Sequence, residues 1–348
     1  MRISRCRVVG PAGVSRQSLA ARAIVSFVVV LAVGSGTTAF GQDEQPNAVD
    51  ALSSRLSTAT RAATEDTQYT IAYQFEVGEI VRWDTKHEAT TMTRINKVEN
   101  FDRAVTKTVK VWRIKEVKED GTIVIEQSID RIALSQSVAG GDEIRYDSSK
   151  DEQPPLRFES IAGSVGVPLA LVSIAPNGKI KSKEAIYQQS QMGLDDVAVP
   201  LPDGPVKRGD EWYSPSDFVA THADGREMII KLRKTYTLQS VKNDIATIDV
   251  RTEVLTPFES PRILSQLMQE MTEGTIRFDI ARGRLLEKSV EWDEEVVGFS
   301  TPQSYMQFNA RFTETLVSES PGQETPRISE QPDELKLRGR DDGPVFRK

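Results

Sequence analysis

The sequence predicts a mainly β protein made of two related, strongly curved antiparallel β units, with one or two short helices packed on the sheet. Three observations lead to this prediction. Apolar and polar residues alternate over long runs, a pattern typical of half-buried antiparallel strands. Turn dipeptides separate these runs and supply the positive φ angles that tight hairpins need. Similar stretches recur in the same order along the chain, which favours an internal duplication.

The alternation extends from about residue 66 to about residue 317. In the run at 228–238, only Lys234 interrupts an otherwise apolar face. His87 falls on the same predicted face as Val81 and Trp83. The other apolar positions that alternate are Tyr69, Ile71, Tyr73 and Phe75; Met228, Ile230, Leu232, Tyr236 and Leu238; Ile248, Val250 and Val254; and Met306, Phe308, Ala310, Phe312 and Leu316.

One run also predicts a break in the strand pattern. The apolar phase of residues 105–117 changes between Val111 and Trp112, as a β-bulge would require. Hairpin turns are predicted at four dipeptides: Asp120-Gly121, Asn177-Gly178, Asp203-Gly204 and Asp224-Gly225.

A helix is predicted over residues 261–273, where Ser260 can cap it, Pro261 suits its first position and Gly274 can end it. Its apolar stripe consists of Ile263, Leu264, Leu267, Met268 and Met271. We expect this stripe to pack on the concave face of the sheet, as core or as a lid over an apolar ligand. Gln266, Gln269 and Glu270 should then face solvent. A weaker helical pattern covers Ser182–Met192.

The duplication rests on three pairs of stretches. They are 77–83 with 206–213, 112–120 with 236–244, and 174–179 with 280–284. The second pair keeps a constant offset, and residues 195–205 contain prolines and a glycine that suit a connector. Chance similarity among hairpins, which share their turn chemistry, is the alternative.

The chain is expected to be exported. An apolar run at 23–33 follows five arginines and is too short to span a membrane alone, and small residues after it favour cleavage behind Gly41. An uncleaved N-terminal anchor is the alternative. The predicted organisation is a signal peptide at 1–41, a linker at 42–65, a first β unit at 66–200, a second at 201–317 and a disordered tail at 318–348. The mature protein would be periplasmic or extracellular.

Charge and cysteine content limit the possible functions. The net charge is −7, and removing the five arginines of residues 1–41, which contain no acid, leaves −12. So acidic a chain is a poor nucleic-acid binder, because clustered cations must meet the phosphates. The single cysteine, Cys6, lies in the predicted signal peptide. Disulfides, thiol catalysis and thiolate–metal sites are therefore not expected.

No catalytic, cofactor-binding or metal-binding residue is predicted. The Gly-x-Ser-x-Gly and phosphate-loop signatures do not occur. His87 and His222 lie far apart and lack metal-ligand spacing, so a histidine triad is the weakest hypothesis. Adjacent acids at Asp195-Asp196 and Asp293-Glu294-Glu295 point to alternate faces of a strand and are expected to be solvated.

Two glycine–tryptophan starts are the most distinctive feature. Gly78 precedes Trp83, and Gly209 precedes Trp212. Exposed tryptophans would stack on carbohydrate. Because the pattern recurs, we expect instead a turn glycine followed by an aromatic core anchor in each unit.

The phrases at 77–83 (VGEIVRW) and 201–212 (LPDGPVKRGDEW) resemble those of an uncharacterised family of secreted, β-rich bacterial proteins, a domain of unknown function. The resemblance covers about 66–317 and implies export and a β fold, not an activity. The predicted architecture is also similar in shape to that of lipoprotein carriers, in which a curved antiparallel sheet surrounds an apolar groove.

These observations favour an exported, non-enzymatic envelope protein that acts as a binding or scaffolding module. The alternatives are a carrier that holds an apolar ligand in a curved β-sheet groove, and a hydrolase of unrecognised type. The expected partner is a protein or an apolar ligand, with no nucleic acid, no cofactor and no stable transmembrane segment after processing. An enclosed cavity of ligand size would favour the carrier, whereas a filled interior would favour the module.

Overall fold

The computed structural model describes residues 67–187 and 197–317. In these residues the mainly β prediction is confirmed, and all pairs of neighbouring strands are antiparallel. The strands are β1 (Ile80–Ile95), β2 (Val98–Val117), β3 (Ile123–Ser137), β4 (Ile144–Asp147), β5 (Pro168–Ile174), β6 (Ile180–Ala185), β7 (Glu211–Thr221), β8 (Glu227–Lys242), β9 (Ile245–Val254), β10 (Glu273–Asp279), β11 (Arg284–Val297) and β12 (Tyr305–Leu316).

All twelve strands belong to one sheet. Its order is β6-β5-β3-β2-β1-β12-β11-β10-β9-β8-β7, and β4 pairs with the outer part of β3. The described helices are short: one 3₁₀ turn at Leu156–Phe158, α1 at Glu159–Ala162 and α2 at Pro261–Leu267. The extent of the two predicted β units stays a prediction. The predicted signal peptide, linker and tail lie outside the described residues.

Residues with positive φ angles form the tight turns that connect neighbouring strands. Gly121, Gly178 and Gly225 adopt such angles at three of the four predicted dipeptides. Gly204 does not form a hairpin turn and lies in the irregular segment before β7. The pairs at 96–97 and 243–244, which carry positive φ without glycine, form further tight turns after β1 and β8.

Two extended segments, at 68–75 and 197–206, cross one end of the concave face. Backbone hydrogen bonds of 2.8 and 2.9 Å pair Tyr69 with Val206. The Tyr73 ring packs edge-on against Phe278 of β10 at 5.3 Å and tilted against Trp112 of β2 at 6.2 Å. The main hydrophobic core therefore joins both halves of the curved sheet through these segments.

Two glycines allow the crossing segments to approach the hairpins closely. Gly178, between β5 and β6, has φ +78°, and an added Cβ would lie 2.4 Å from the carbonyl oxygen of Val199. Gly283, between β10 and β11, has φ +65°, and its Cβ would lie 2.4 Å from the backbone nitrogen of Gln74. No other residue fits either position without moving the backbone.

The two halves share their topology. Strands β1, β2, β3, β5 and β6 form one meander, and β7 to β11 form another that runs in the same direction across the sheet, with β12 between them. Gly78 donates to Ile114 at 2.9 Å, and Gly209 donates to Leu238 at 2.7 Å, so each meander starts with the same hydrogen bond. These matches support the duplication, which stays a prediction.

The matched positions also show a difference between the two halves that the similar sequence stretches do not predict. Trp112 and Tyr236 both lie on the second strand of a meander, and their partners are Val81 and Trp212. Trp83 lies two residues beyond Val81, so the two tryptophans that follow the glycines are not at equivalent positions. The expected turn glycine followed by a buried aromatic residue is confirmed in each half, because Gly78 and Gly209 have positive φ angles and both tryptophans are buried, but the two tryptophans occupy different register positions.

The predicted β-bulge in β2 is displaced. The register against β3 shifts twice. Between Val109 and Lys110, whose partners are Arg131 and Ile129, the extra residue is Asp130 of β3. Between Ile114 and Glu116, whose partners are Ile125 and Val124, the extra residue is Lys115 of β2. Val111 and Trp112 pair regularly with β1 and lie on opposite faces. Both are buried, which explains why the apolar phase changes without a bulge between them.

Both helix predictions need correction. The helix α2 begins at Pro261 as predicted but ends at Leu267, because β10 starts at Glu273. Gly274 belongs to that strand, where an added Cβ would lie 2.0 Å from the carbonyl oxygen of Ser289. Residues 182–185 form part of β6, since pairing with β5 outweighs their weak helical preference. Of the predicted helix at Ser182–Met192, residues 188–192 lie outside the described residues.

Candidate ligand-binding cavity

A cavity of about 640 Å³ lies on the concave face, between β1, β2 and β8 to β12. Val199 and Pro200 of the second crossing segment line one end of it. Its volume falls within the range of roughly 300–1,000 Å³ that is typical of small-molecule sites. Part of the concave side is therefore left open beside the packed core.

Small side chains create part of this space. Ala89 of β1 lies opposite Ala104 of β2 and Ala310 of β12, so three alanines occupy neighbouring positions on adjacent strands. Ala89 and Ala104 line the cavity. Nearer the crossing segments, β1 and β2 carry Trp83 and Trp112 instead, which fill the interior.

A buried ion pair lies at the floor of the cavity, which is the end near the crossing segments. Lys110 of β2 and Glu314 of β12 form a salt bridge, and their side chains are only 5% and 4% exposed. The Lys110 ammonium lies 5.1 Å from the ring centroid of Trp83 and 5.3 Å from that of Trp112. The two rings stabilise the cation in surroundings with little water.

A second lysine and two hydroxyls extend this polar floor. Lys288 of β11 lies directly opposite Glu314 in the sheet, and its ammonium is 5.5 Å from the ring centroid of Phe312. The hydroxyls of Thr85 and Thr108 are 2.6 Å apart and hydrogen-bonded to each other. Lys110, Lys288, Glu314 and Thr85 all line the cavity, so charge and hydroxyl chemistry meet at its floor.

The walls above the floor are aromatic and apolar. His87 lies 5.7 Å from Trp292 in an edge-on contact and 6.5 Å from Phe312. The indole nitrogen of Trp292 donates to the carbonyl of Gln269 at 2.7 Å. Burial lowers the pKa of His87 below its ordinary value of 6.5, so the imidazole is neutral at pH 7. His87 therefore belongs to the wall as an uncharged ring.

The opposite end of the cavity is a polar rim. Asp102, Arg103, Gln136 and Glu270 line it, far along the strands from the crossing segments. The Asp102 carboxylate accepts a 2.7 Å hydrogen bond from the backbone nitrogen of Ala139, which fixes the loop after β3. The cavity thus has a charged floor, a mainly apolar middle that Lys234 of β8 also lines, and a polar rim, an arrangement that suits an amphiphilic molecule.

One acidic residue beside this region titrates near neutral pH. Glu294 of β11 lies opposite Phe308 and is half-buried. Burial, with Asp293 and Glu273 nearby, raises the pKa of Glu294 to about 7. The expectation that all three acids at 293–295 are solvated is therefore wrong for Glu294, whereas Asp293 and Glu295 are exposed.

The sequence-predicted candidates are not brought together. His87 lines the cavity, but His222 lies in the turn after β7, where its backbone nitrogen bonds to Arg226. Trp83 and Trp212 are buried, at 1% and 9% exposure, and present no exposed stacking surface. Asp195 and Asp196 lie outside the described residues. The absence of catalytic, cofactor and metal residues stays an expectation.

Four charged residues on the concave face were not predicted from the sequence. Lys234 interrupts the apolar face of β8 and lines the cavity, so that interruption was the signal. Glu314 occupies an inward position of β12 between Phe312 and Leu316, and the same test would have found it. Lys110 was not predicted to face inward because a β-bulge was assumed next to it, between Val111 and Trp112. Lys288 lies in a strand for which no alternation was assigned.

Within residues 67–187 and 197–317, no group of three or more histidine, cysteine, aspartate or glutamate side chains is arranged to hold a metal ion. Separately, that part of the chain contains no helix with the length and hydropathy needed to span a membrane.

No protein-family model and no curated protein matches the chain. Among solved structures, the chain is similar to lipovitellin, described in terms of lipid–protein interactions, with a TM-score of 0.44 and 12% identity over 74% of this chain; the chain spans 27% of the lipovitellin chain. It is also similar to the translocator domain of the autotransporter NalP from Neisseria meningitidis, with a TM-score of 0.28 and 9% identity over 77% of this chain and 95% of that one. Both TM-scores are below 0.5, so neither likeness informs the function.

Proposed function

We propose that this protein is an exported carrier that binds one small amphiphilic molecule in the cavity of its curved sheet. The observation that carries the proposal is the cavity itself, whose size suits a small ligand. A scaffolding module would not need such a cavity beside its packed core, so the cavity favours the carrier over the module.

The distribution of side chains supports an amphiphile over a purely apolar ligand. Ala89, Val290, Trp292 and Phe308 give the middle of the cavity a mainly apolar lining, which Lys234 interrupts, and further charged residues lie at both ends. An alkyl chain would lose water contact against the apolar lining, which contributes about 0.8 kcal/mol per buried methylene group. A polar head group would find hydrogen-bonding partners at either end.

The test is calorimetric titration of the full chain with dodecanol, dodecanoate and dodecylammonium, combined with native mass spectrometry to obtain stoichiometry. We expect saturable binding of one molecule per chain for at least one of these probes. The absence of saturable binding for all three would contradict the carrier proposal.

Filling the cavity should abolish this binding. Ala104→Leu adds a branched side chain to the cavity lining, and we expect it to weaken binding by roughly tenfold or more. Val105→Leu on the opposite face of the same strand is the matched control and should leave the affinity unchanged. Equal affinities in the two variants would place the ligand elsewhere.

A further inference from the structure

His87 lies in the mainly apolar middle of the cavity. Its side chain projects from β1 to the concave face and lines the cavity, as do those of Thr85 nearer the floor and Ala89 nearer the rim. At a rise of about 3.3 Å per residue, His87 lies roughly 7 Å along the strand from either of them. The imidazole therefore stands one inward position away from the charged floor.

The strand register places mostly apolar residues at the same level as His87. From β12 to β8, the residues aligned with it are Phe312, Val290, Gly274, Val250 and Tyr236. Of these, Tyr236 alone carries a polar atom on its side chain, and its ring stacks on Trp212 at a centroid distance of 5.8 Å. Lys234 lies one inward position nearer the rim on β8, five strands away from β1.

The two ring nitrogens of His87 have no hydrogen-bond partner within residues 67–187 and 197–317. The ring contacts there are aromatic, with Trp292 and Phe312. A neutral imidazole presents one N–H donor and one acceptor nitrogen. A ligand that displaces water from the cavity would leave both without a partner, at a cost in affinity, unless the ligand supplies one itself.

From this arrangement we infer that the ligand carries an uncharged hydroxyl group part-way along its apolar chain, and that His87 binds this hydroxyl. The inference rests on the proposed carrier function and adds a feature to its ligand. A hydroxyl group can accept a hydrogen bond from the imidazole N–H or donate one to the other nitrogen, so it suits whichever nitrogen faces the ligand.

The position of the hydroxyl group on the chain follows from the depth of His87. Because His87 lies between floor and rim, the hydroxyl would fall near the middle of the chain whichever end of the cavity receives the head group. A chain without this hydroxyl leaves the imidazole unpaired, and a hydroxyl next to the head group does not reach it. We therefore expect the affinity to depend on where the hydroxyl is placed.

The test titrates the full chain by calorimetry with dodecanol, dodecanoate and dodecylammonium. Each is compared with derivatives that carry a further hydroxyl group on carbon 6 or on carbon 2. For a head group that binds, we expect the carbon-6 derivative to bind roughly fivefold or more tightly than its parent, and the carbon-2 derivative to gain less.

The outcomes separate this inference from the carrier proposal. A carbon-6 hydroxyl that gives no gain in affinity, or no more than a carbon-2 hydroxyl gives, would overturn the inference and leave the carrier proposal intact. A failure of every probe to bind would instead contradict the carrier proposal, on which the inference depends.

Substitutions of His87 test its role directly. His87→Phe keeps a planar ring and removes both nitrogens, so the parent should now bind more tightly than its carbon-6 derivative, whose hydroxyl would be buried without a partner. His87→Gln, whose amide both donates and accepts, should retain part of the preference for the hydroxyl. His222→Phe, in the turn after β7 and outside the cavity, is the matched control and should leave the preference unchanged.

An unchanged preference for the carbon-6 derivative in a folded His87→Phe protein would overturn the assignment to His87. If that variant does not fold, the ratio of affinities for the carbon-6 and carbon-2 derivatives in the unmodified protein and in His87→Gln decides.

Discussion

Lys110 and Glu314 form an ion pair across β1, a strand to which neither of them belongs. Lys110 is on β2 and Glu314 is on β12, and the pair passes over the indole of Trp83. Both side chains are almost fully removed from solvent. The pair therefore links three strands at the depth where the packed core gives way to the cavity.

Removing one partner of this pair should be costly. Glu314→Leu would leave the Lys110 ammonium buried without its carboxylate, and we expect a loss of roughly 3–5 kcal/mol in the free energy of unfolding, measured by urea denaturation. The double variant Lys110→Met/Glu314→Leu should recover much of this loss. Glu291→Gln, which breaks the exposed pair with Arg311, is the control and should cost less than about 1 kcal/mol. Similar costs for the buried and the exposed pair would contradict the buried character of the first.

Substitution of Gly178, which lies close to the second crossing segment, should destabilise the protein more than substitution of a glycine that only has a positive φ angle. Gly178→Ala would meet the carbonyl oxygen of Val199, whereas Gly78→Ala, at φ +85°, would meet nothing within 4 Å. We expect about 1–2 kcal/mol of destabilisation for Gly78→Ala from its conformation, and a clearly larger loss for Gly178→Ala. Thermal denaturation of the two variants measures the difference. Equal losses would mean that the crossing segment is not held tightly against this hairpin.

The helix α2 should contribute to stability and not to ligand retention. Leu267 is fully buried in a cluster with Ile230, Val254 and Ile263, beside β7 to β9 and apart from the residues that line the cavity. Leu267→Ala should reduce the free energy of unfolding by about 2–5 kcal/mol and leave the affinity for dodecanoate unchanged. Arg262→Ala, on the exposed side of the helix, is the control for stability. A weakened affinity with an unchanged melting temperature would show that the helix acts as a lid.

The raised pKa of Glu294 predicts a pH dependence of stability. Between its ordinary pKa of 4.5 and the folded value of about 7, the folded protein binds more protons at Glu294 than the unfolded chain does. The free energy of unfolding should therefore fall as pH rises through this interval. The full shift would correspond to about 3 kcal/mol, and because Glu294 is only half-buried, solvent screening should reduce the effect to roughly 1–2 kcal/mol.

Glu294→Gln tests this origin. Its unfolding free energy should lose the decline between pH 4.5 and 7 that is specific to this residue. Glu295→Gln, at the exposed neighbouring position, should retain the decline. The measurement is a series of urea titrations across this range, and identical pH profiles for the two variants would contradict the assignment.

Export remains a prediction of the sequence. The apolar run at 23–33 and the small residues behind it predict a mature N-terminus at Gln42 or within a few residues of it. N-terminal sequencing of protein recovered from the envelope or the medium measures this directly. Intact Met1 in exported material would favour the uncleaved anchor instead.

Local patterns were enough to predict most of the strands. The alternation in β8 correctly placed Ile230, Leu232, Tyr236 and Leu238 on one buried face, because side chains of a strand point alternately to opposite sides. The end of α2 was predicted less well. Its apolar stripe continues through Met268 and Met271, but the chain leaves the helix after Leu267, and pairing of β10 with β9 and β11 begins at Glu273. That competition depends on strands that precede and follow the helix in the chain.

The sequence by itself determined the β class, several of the turns and the inward or outward direction of most strand residues, since these follow from periodicity and backbone conformation within a few neighbouring positions. Only the tertiary structure decided that Lys110, Lys288 and Glu314 meet at the floor of one cavity. Lys110 lies on β2, far along the chain from Lys288 on β11 and Glu314 on β12. Their proximity depends on the sheet order, the register and the curvature of the sheet. Those features come from long-range pairing and from the crossing segments, which no local pattern specifies.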